Sequence, residues 1–470
     1  MPVEPIAPSL RVGRGRPDPV ALIRDLTPEE ALAAEVKPAL SHLDALAEAY
    51  RCLECGTAEV PAPCQRACPA DVDVAAFIGL IARERPARAA RVILASNPLG
   101  GSCARVCPTE LLCEGSCVLH TAHDRPVDIG RLQRYAMDAA FSEPASFIVS
   151  LPPKNGRSVA VIGGGPAGLS AAAFLVMSGF SVTLYDEHDD IGGLVRYAIA
   201  PYRLWSEPLP NERAWLEGLG VRFRLGHAVR DAREFTRIAA EYDAIVLAVG
   251  LGDDVEIHYP GDNLPGVHSS LPFIEAVKGG VPPAIGQHAV VIGGGNTAID
   301  VAREAWRLGA GDVTLLYRRT EAEMPAYPDE VLQARREGIR FQFLAEPVAF
   351  TGTSRVTGVM VRPMRLGAPD ASGRRRPEPV SEAEPFEIPA DTVVRATGQQ
   401  PRRAFLTEVA GLEMLGTRIL VDPMNGATSR PRVFAAGDAV NGGDTVVEAV
   451  HLARVATHGV EEALLGSAVR

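Results

Sequence analysis

Apolar and polar positions along the chain alternate in two styles. From Val74 to Leu94 the apolar residues recur at helical spacing, with Ala75, Ile78, Ile81 and Ala82 on one face, which predicts helix. After the proline-bearing stretch Leu151 to Gly156 the pattern changes to short, wholly apolar runs, each followed by glycines and then a helical period. One such unit starts Ser158-Val159-Ala160-Val161-Ile162, another His288-Ala289-Val290-Val291-Ile292. Each predicts a buried parallel strand, a tight turn and a helix, and their recurrence about 130 residues apart indicates a duplicated fold rather than a short-period array. Val182 to Tyr185, Val313 to Tyr317 and Val433 to Ala436 predict further strands, and Thr445 to Ala449 opens a helix. The segment Pro369 to Pro389, rich in Pro, Arg and Glu, predicts an exposed hairpin or loop with no assigned role. Residues 1–26 are expected to form a flexible tail, its first part (Met1 to Pro19) rich in Pro, Gly and Arg.

Composition narrows the function. With 470 residues, 47% apolar and 22% charged, the chain can bury more than one core. A net charge of −11 argues against a nucleic-acid surface. No run of 18 apolar residues occurs, nor a charged start followed by an apolar signal core, so a cytoplasmic protein with no membrane span is expected.

All eight cysteines fall between Cys52 and Cys117. Disulfides are rare in the cytosol, which favours metal ligation. The groups read Cys52-x2-Cys55-x8-Cys64-x3-Cys68-Pro69 and Cys103-x3-Cys107-Pro108-x4-Cys113-x3-Cys117. A cysteine followed by proline at the end of such a run can ligate a second cluster, as in two-cluster ferredoxins. Zinc is the alternative, but only one Cys-x2-Cys unit is present, and two [4Fe–4S] clusters are expected. Eight cysteines would by themselves supply all eight ligands.

The two glycine turns carry the other chemistry. In Gly163-x-Gly165-x-x-Gly168 the first glycine permits the turn, the second lets backbone approach a pyrophosphate, and the third lets helix and strand pack. Gly164, Pro166 and Ala167 complete that turn, and Asp186 ends the next strand, 18 residues past Gly168, where a carboxylate can accept from a ribose diol. Gly293-x-Gly295-x-x-Ala298, with Gly294, Asn296 and Thr297 between, is followed by a strand ending in Arg318-Arg319. Two guanidinium groups there suit a 2′-phosphate, so NADPH is expected over NADH.

Several of these segments resemble known families. Val433 to Asp438 followed by Thr445-Val446 resembles flavoproteins with two dinucleotide domains. That likeness implies FAD at the first turn, with Gly437 and Asp438 at the ribitol and the helix from Thr445 and Val446 at the flavin's pyrimidine edge. It adds Glu187, Gly193, Leu194 and Val229 to the flavin set. Ala248-Val249-Gly250 and Ala396-Thr397-Gly398 look like the crossovers between flavin and nicotinamide domains, the latter also expected to contact NADPH. Arg203 matches a flavin-contacting position, although the family's Gly-Ile-Pro is Ala198-Ile199-Ala200 here.

Cys103 to Glu110 and Ile129 to Tyr135 resemble the N-terminal domain of dihydropyrimidine dehydrogenases and, more distantly, the small subunit of glutamate synthase. The resemblance implies one cluster on Cys52, Cys55, Cys64 and Cys117, and another on Cys68, Cys107, Cys113 and Gln133, with Cys103 not a ligand. The eight residues between Cys55 and Cys64 exceed the family's usual four. Asn97-Pro98-Leu99-Gly100 and Gly130-Arg131-Leu132-Gln133 lie nearer the dehydrogenase branch.

The expected architecture is α/β: a helical iron–sulfur domain over residues 27–150, a discontinuous FAD domain over 151–270 and 396–470, and an inserted NADPH domain over 271–395, the last two interleaved and Rossmann-like. The favoured reading is the electron-input subunit of a bacterial dihydropyrimidine dehydrogenase, within a hetero-oligomer whose partner bears FMN and the substrate site. Nothing resembles an FMN barrel, which would take roughly 250 residues. The alternatives are a glutamate synthase small subunit, a ferredoxin:NADP reductase subunit, or a non-catalytic redox sensor or scaffold. The cofactors carry the chemistry, so no side chain is named catalytic.

Overall fold

The computed structural model describes residues 30, 35–57, 59–122, 124–143, 150–204, 208–369, 373–401, 403–409 and 411–466. The expected tail, 1–26, lies outside them.

The cysteine-bearing part is helical: α1 (His42–Ala49), α2 (Pro63–Arg66), α3 (Val74–Ala82), α4 (Pro86–Ser96), α5 (Gly100–Val106), α6 (Val118–Thr121) and α7 (Ile129–Ser142). Ser41 and Asp73 cap α1 and α3 by accepting from the N–H groups of Asp44 and Ala76. The helical period from Val74 to Leu94 is two helices rather than one. Glu84 turns left-handed at φ 55°, and Pro86, at the first turn of α4, pushes Arg85 out of the helical region. Phe77, Ile78, Ile81, Ile93, Leu99, Leu132 and Met137 are buried between these helices.

Beyond the linker come β1 (Ser158–Ile162), α8 (Pro166–Met177), β2 (Ser181–Tyr185), α9 (Leu194–Tyr197), α10 (Leu209–Leu219), β3 (Arg222–Arg224), α11 (Ala232–Glu241) and β4 (Ala244–Leu247). A two-residue strand, β5 (Asp253–Asp254), leads into β6 (Val267–Ser269), α12 (Ser270–Lys278), β7 (His288–Ile292), α13 (Asn296–Arg307), β8 (Asp312–Tyr317), α14 (Pro328–Arg336) and β9 (Arg340–Phe343). An antiparallel meander follows: β10 (Ala345–Gly352), β11 (Val356–Pro369), β12 (Arg375–Pro379) and β13 (Phe386–Pro389). The chain returns through β14 (Thr392–Arg395) and β15 (Gln399–Gln400) to α15 (Arg403–Glu408), β16 (Met414–Leu415), β17 (Arg418–Ile419), β18 (Val433–Ala435), α16 (Asp438–Asn441) and α17 (Val446–Leu465).

The first parallel sheet has the order β18-β4-β1-β2-β3, the second β6-β14-β7-β8-β9. In each the fingerprint strand is flanked by neighbours on both sides, which is why β1 and β7 read as unbroken apolar runs. The strand nearest the C-terminus therefore completes the first sheet. β6 pairs with β14, so the second sheet already begins upstream of residue 271. The crossovers are stitched by β5 and β15, with the Val255 N–H donating to the Gly398 carbonyl (2.8 Å) and Gly252 to Gln400 (3.0 Å). The segment expected as an exposed hairpin or loop is a hairpin: β12 turns back antiparallel on the end of β11, and β13 also pairs with β11.

One apolar core runs from the helical part into the first sheet, through α8 and α17. Arg454 of α17 lies 5.0 Å over the Phe174 ring and donates to the Ser96 carbonyl, fastening the C-terminal helix to α4.

Candidate redox-cofactor sites

The helices gather the cysteines into two neighbouring cavities. Cys52, Cys55, Cys64 and Cys117 line one, with Leu53, Pro63, Ile78 and Val118. The longer loop thus still brings Cys64 to its expected companions. Cys68, Cys107, Cys113 and Gln133 line the other, together with Cys103, Asn97 and Val447. Burial pushes the Cys64 thiol up to about 11, helped by Cys52, and Cys113 well above its usual range. Cys107 is also raised well above it, first by hydrogen bonding to Cys103 and then by burial. Among the described residues no three His, Cys, Asp or Glu side chains converge on a single ion position. The thiols rim the two cavities instead.

Gln133 sits on α7 with its Nε2 donating to the Gly100 carbonyl at 2.7 Å, which leaves its Oε1 as the amide's acceptor atom. Cys103 is buried with its Sγ 3.8 Å from Asn97 Oδ1. The second cavity therefore contains five candidate ligands for four positions.

In the first fingerprint, Gly163 has φ 110°, and a Cβ there would lie 2.2 Å from the Ala248 carbonyl oxygen; a Cβ on Gly168 would lie 1.8 Å from the Gly163 oxygen. Gly165 meets nothing nearer than Gly193 Cα at 3.9 Å, so its face is open at the start of α8. Pro166 takes the first helical turn, and no side chain caps the N–H groups that an anion would use. Asp186 accepts from the Gly164 N–H at 2.5 Å and from the His188 N–H at 2.9 Å, so it fastens the turn itself to the end of β2. Glu187 accepts from Arg230 (3.3 Å), Gly193 precedes α9 at φ 52° with Leu194 as its first residue, and Val229 packs half-buried against the sheet. Parallel pairing of β18 with β4 carries Gly437 to Ala167, where a Gly437 Cβ would stand 2.7 Å from the Ala167 Cβ. Burial pushes the adjacent Asp438 carboxyl up to about 6. Thr445 caps α17 by accepting from the Glu448 N–H (3.1 Å), next to Val446. Val447 one residue on lines the second cysteine cavity.

The second fingerprint repeats the geometry. Gly293 has φ 149° and a Cβ there would lie 2.2 Å from the Ala396 oxygen; Gly294 faces the Tyr317 ring, and Gly295 is open, with Pro325 Cγ nearest at 3.9 Å. Ala298 is buried beneath the turn, and Asn296 Oδ1 accepts from the Tyr327 N–H at 2.9 Å. Thr297 is half-buried beside them, and Thr397 Oγ1 donates to the Val255 carbonyl (3.3 Å) between Ala396 and Gly398. The two arginines part company. Arg318 is half exposed, 3.7 Å from Glu346, whereas Arg319 is mostly buried with its Nε donating to the Arg375 carbonyl at 2.8 Å.

The model of the pyridine nucleotide-disulphide oxidoreductases matches residues 157–455, which is more than half of the chain. The chain belongs to that family. Residues 29–145 match the 4Fe–4S domain described as dihydropyrimidine dehydrogenase domain II. Among relatives of this oxidoreductase, the NADPH glutamate synthase small chain of Halomonas elongata is 38% identical over 441 residues, 91% of this chain and 92% of that protein. The Escherichia coli small chain is 34% identical, covering 91% and 93%. The beta subunit of the NADP(+)-dependent formate dehydrogenase of Moorella thermoacetica is 36% identical, covering 83% of this chain and 58% of its own. In fold, Mycobacterium tuberculosis FprA in complex with NADPH matches 68% of this chain and 87% of its own at TM-score 0.53 and 21% identity.

Membership makes this an NAD(P)H-dependent flavin and iron–sulfur oxidoreductase, with FAD, a nicotinamide dinucleotide and 4Fe–4S chemistry. The residues present fit those groups: two open glycine cradles at uncapped helix starts, and thiols rimming cavities. No helix among the described residues is long and apolar enough to cross a membrane.

Arg203, expected at the flavin, is mostly buried, with Nη1 3.3 Å from Asp300 Oδ1, Nη2 donating to the Val106 carbonyl (3.4 Å) and Nε 3.8 Å from Glu330. Tyr202 donates to the same Asp300 at 2.7 Å. Sequence reasoning missed Asp300, Arg303, Arg307 and Glu337, a buried charged cluster on α13 and just past α14. A charged i, i+4 pair in Arg303 and Arg307 was visible, but it reads as a solvated face.

Proposed function

We propose that this chain is the electron-input subunit of a glutamate synthase-type assembly, taking a hydride from NADPH. The relatives that cover nearly their whole length support this branch over the pyrimidine-reducing one that the sequence motifs favoured. The observation that carries the electron-transfer reading is Val447. It belongs to the first turn of the helix opened by Thr445, and it also lines the cavity of Cys68, Cys107, Cys113 and Gln133. On this reading the flavin end of the molecule would abut the cavity of Cys68, Cys107, Cys113 and Gln133, and Cys64 of the other cavity is near enough to help raise the Cys113 thiol.

Gly163 to Gly168, Asp438 and the start of α17 would hold FAD, which would supply the conversion between hydride and single-electron transfer. The chain's own residues would bind and orient. The open faces of Gly165 and Gly295 would admit pyrophosphates onto the N-termini of α8 and α13, and the N-terminal dipole of α17 would favour negative charge beside it. Arg318 would meet the 2′-phosphate of NADPH. Two clusters would be held by Cys52, Cys55, Cys64 and Cys117, and by Cys68, Cys107, Cys113 and Gln133, leaving a partner subunit to carry the substrate site.

The test is isolation of the chain with its natural partner, followed by NADPH oxidation with glutamine plus 2-oxoglutarate or with uracil. Turnover with the first pair alone is expected. Turnover with uracil alone would return the chain to the pyrimidine branch, which Gln133 favours. NADPH–dye activity absent from a chain replete with flavin and iron would point to a sensor or scaffold.

A further inference from the structure

The meander to which the sequence assigned no role is fastened to the end of β8, beside the two arginines. The Leu344 N–H donates to the Arg319 carbonyl (3.1 Å), and the Met364 N–H donates to the Leu344 carbonyl (2.7 Å). From the side chain, Arg319 Nε donates to the carbonyl of Arg375, the first residue of β12. The Arg375 guanidinium is half exposed, with its Nε 2.9 Å from Glu323 Oε1. Glu323 closes a capping box with Thr320 in the turn directly after β8, and its carbonyl accepts from the Tyr317 hydroxyl (2.9 Å). The strand end that faces the adenosine ribose in a Rossmann fold thus has cationic side chains from two elements, β8 and the hairpin.

A phosphate dianion offers three acceptor oxygens. Arg318 alone brings one fork, and the Nε of Arg319 is engaged by backbone. Arg375 is half exposed, and Glu323, itself mostly buried, keeps the Thr320 N–H and hydroxyl on its Oε2, so the guanidinium can exchange its partner without leaving that carboxylate bare. We propose that Arg375 is a further specificity-determining contact for the 2′-phosphate of NADPH, held by Glu323 when no dinucleotide is bound and contested by it when one is. The proposal rests on the reading that Arg318 marks the phosphate end of the site. Arg376, next along the strand, projects to the opposite face and is exposed, which makes it a control of equal charge.

The experiment measures kcat/KM for NADPH and for NADH with ferricyanide as acceptor, in full-length flavin- and iron-replete protein. Arg375→Ala is expected to lower the NADPH/NADH ratio about tenfold, the scale of one charge-assisted bond to phosphate. Arg376→Ala should change the ratio less than about twofold. Glu323→Gln, which can keep the capping box, should raise the ratio by removing the competing carboxylate. A purely structural pair would make Arg375→Ala and Glu323→Gln act alike, and that result overturns the proposal. So does an equal fall for Arg375→Ala and Arg376→Ala, which would mean diffuse charge. A parent that prefers NADH, or a ratio untouched by Arg318→Ala, would instead sink the underlying reading, and the proposal with it.

Discussion

Arg203 and Asp300 form a buried ion pair, 3.3 Å between Nη1 and Oδ1, that joins the flavin-side chain to the second fingerprint helix. The same guanidinium reaches the carbonyl of Val106, one residue before Cys107. Around the pair, the guanidinium groups of Arg303 and Arg307 lie 4.2 and 4.3 Å from the centre of the Tyr202 ring, and Glu337 accepts from both arginines. Arg303, Arg307 and Glu337 side chains are wholly buried, so each charge depends on the others for its stabilisation. All three parts of the molecule meet at this cluster.

Asp300→Asn should therefore destabilise strongly. It keeps an acceptor for the Tyr202 hydroxyl but leaves the Arg203 charge with only Glu330, 3.8 Å away. Removing one partner of a buried pair costs about 3–5 kcal/mol. Chemical unfolding of the variant should show that loss, whereas Glu378→Gln, which breaks the exposed pair with Arg365, should move stability by less than about 1 kcal/mol. Equal effects would mean that the buried cluster is not a keystone.

Glu212 predicts a pH dependence. It is wholly buried on α10 and accepts from the Ser102 N–H (2.8 Å) and hydroxyl (2.7 Å) at the start of α5. Burial outweighs those bonds and pushes its carboxyl up to about 7. The folded protein thus binds this proton more tightly than the unfolded chain, whose glutamate titrates near 4.5. Stability from this group is present below about pH 4.5 and lost as pH rises through 7, by at most ~3 kcal/mol. Glu212→Gln keeps both bonds to Ser102 and removes the titration. Its unfolding free energy should exceed the parent's by an amount that grows from pH 5 to pH 8. A constant offset over that range would show that the carboxyl stays ionised.

Much of this was legible before the fold was known, and for physical reasons. Gly163, Gly168, Gly293 and Ala298 are local requirements of a strand–turn–helix, so their spacing announces them. The cysteines advertise themselves by rarity elsewhere. What stayed hidden depends on contacts between distant segments. Arg203 and Asp300 are 97 residues apart, and Arg319 and Arg375 are 56 apart. Nothing in the run Arg318-Arg319 says that one side chain turns outward and the other lies under a hairpin. The split between α3 and α4 was written in Pro86 but masked by an apolar period that continues across it.

The second cysteine cavity sets a choice that iron analysis decides. If Gln133 ligates through the oxygen left by its bond to Gly100, Cys103 is a bystander hydrogen-bonded to Cys107. Cys103→Ser should then retain about eight irons per chain, and Cys107→Ser about half. Gln133→Cys should keep both clusters while lowering one potential, because thiolate adds negative charge at the iron. Loss of iron from Cys103→Ser, with Gln133→Cys silent, would assign an all-cysteine set.

The two nucleotide turns can be separated by one methyl group. Gly293→Ala is sterically forbidden, since its Cβ would lie 2.2 Å from the Ala396 oxygen at φ 149°. Gly295→Ala is different: φ is −93°, and the new Cβ would find no atom nearer than Pro325 Cγ at 3.9 Å. The fold should accept it, with melting temperature, flavin and iron content all unchanged. The space it fills is the approach to the uncapped start of α13, where a pyrophosphate would lie against backbone. NADPH should then reduce the flavin only at concentrations about tenfold or more above those the parent needs. Gly165→Ala, equally free of protein clashes beyond Gly193 Cα at 3.9 Å, should lose FAD instead. NADPH titration of flavin absorbance in the Gly295→Ala protein reads the difference directly. An unshifted titration in a folded, flavin-loaded variant would mean that the second glycine turn shapes the sheet and does not receive the dinucleotide.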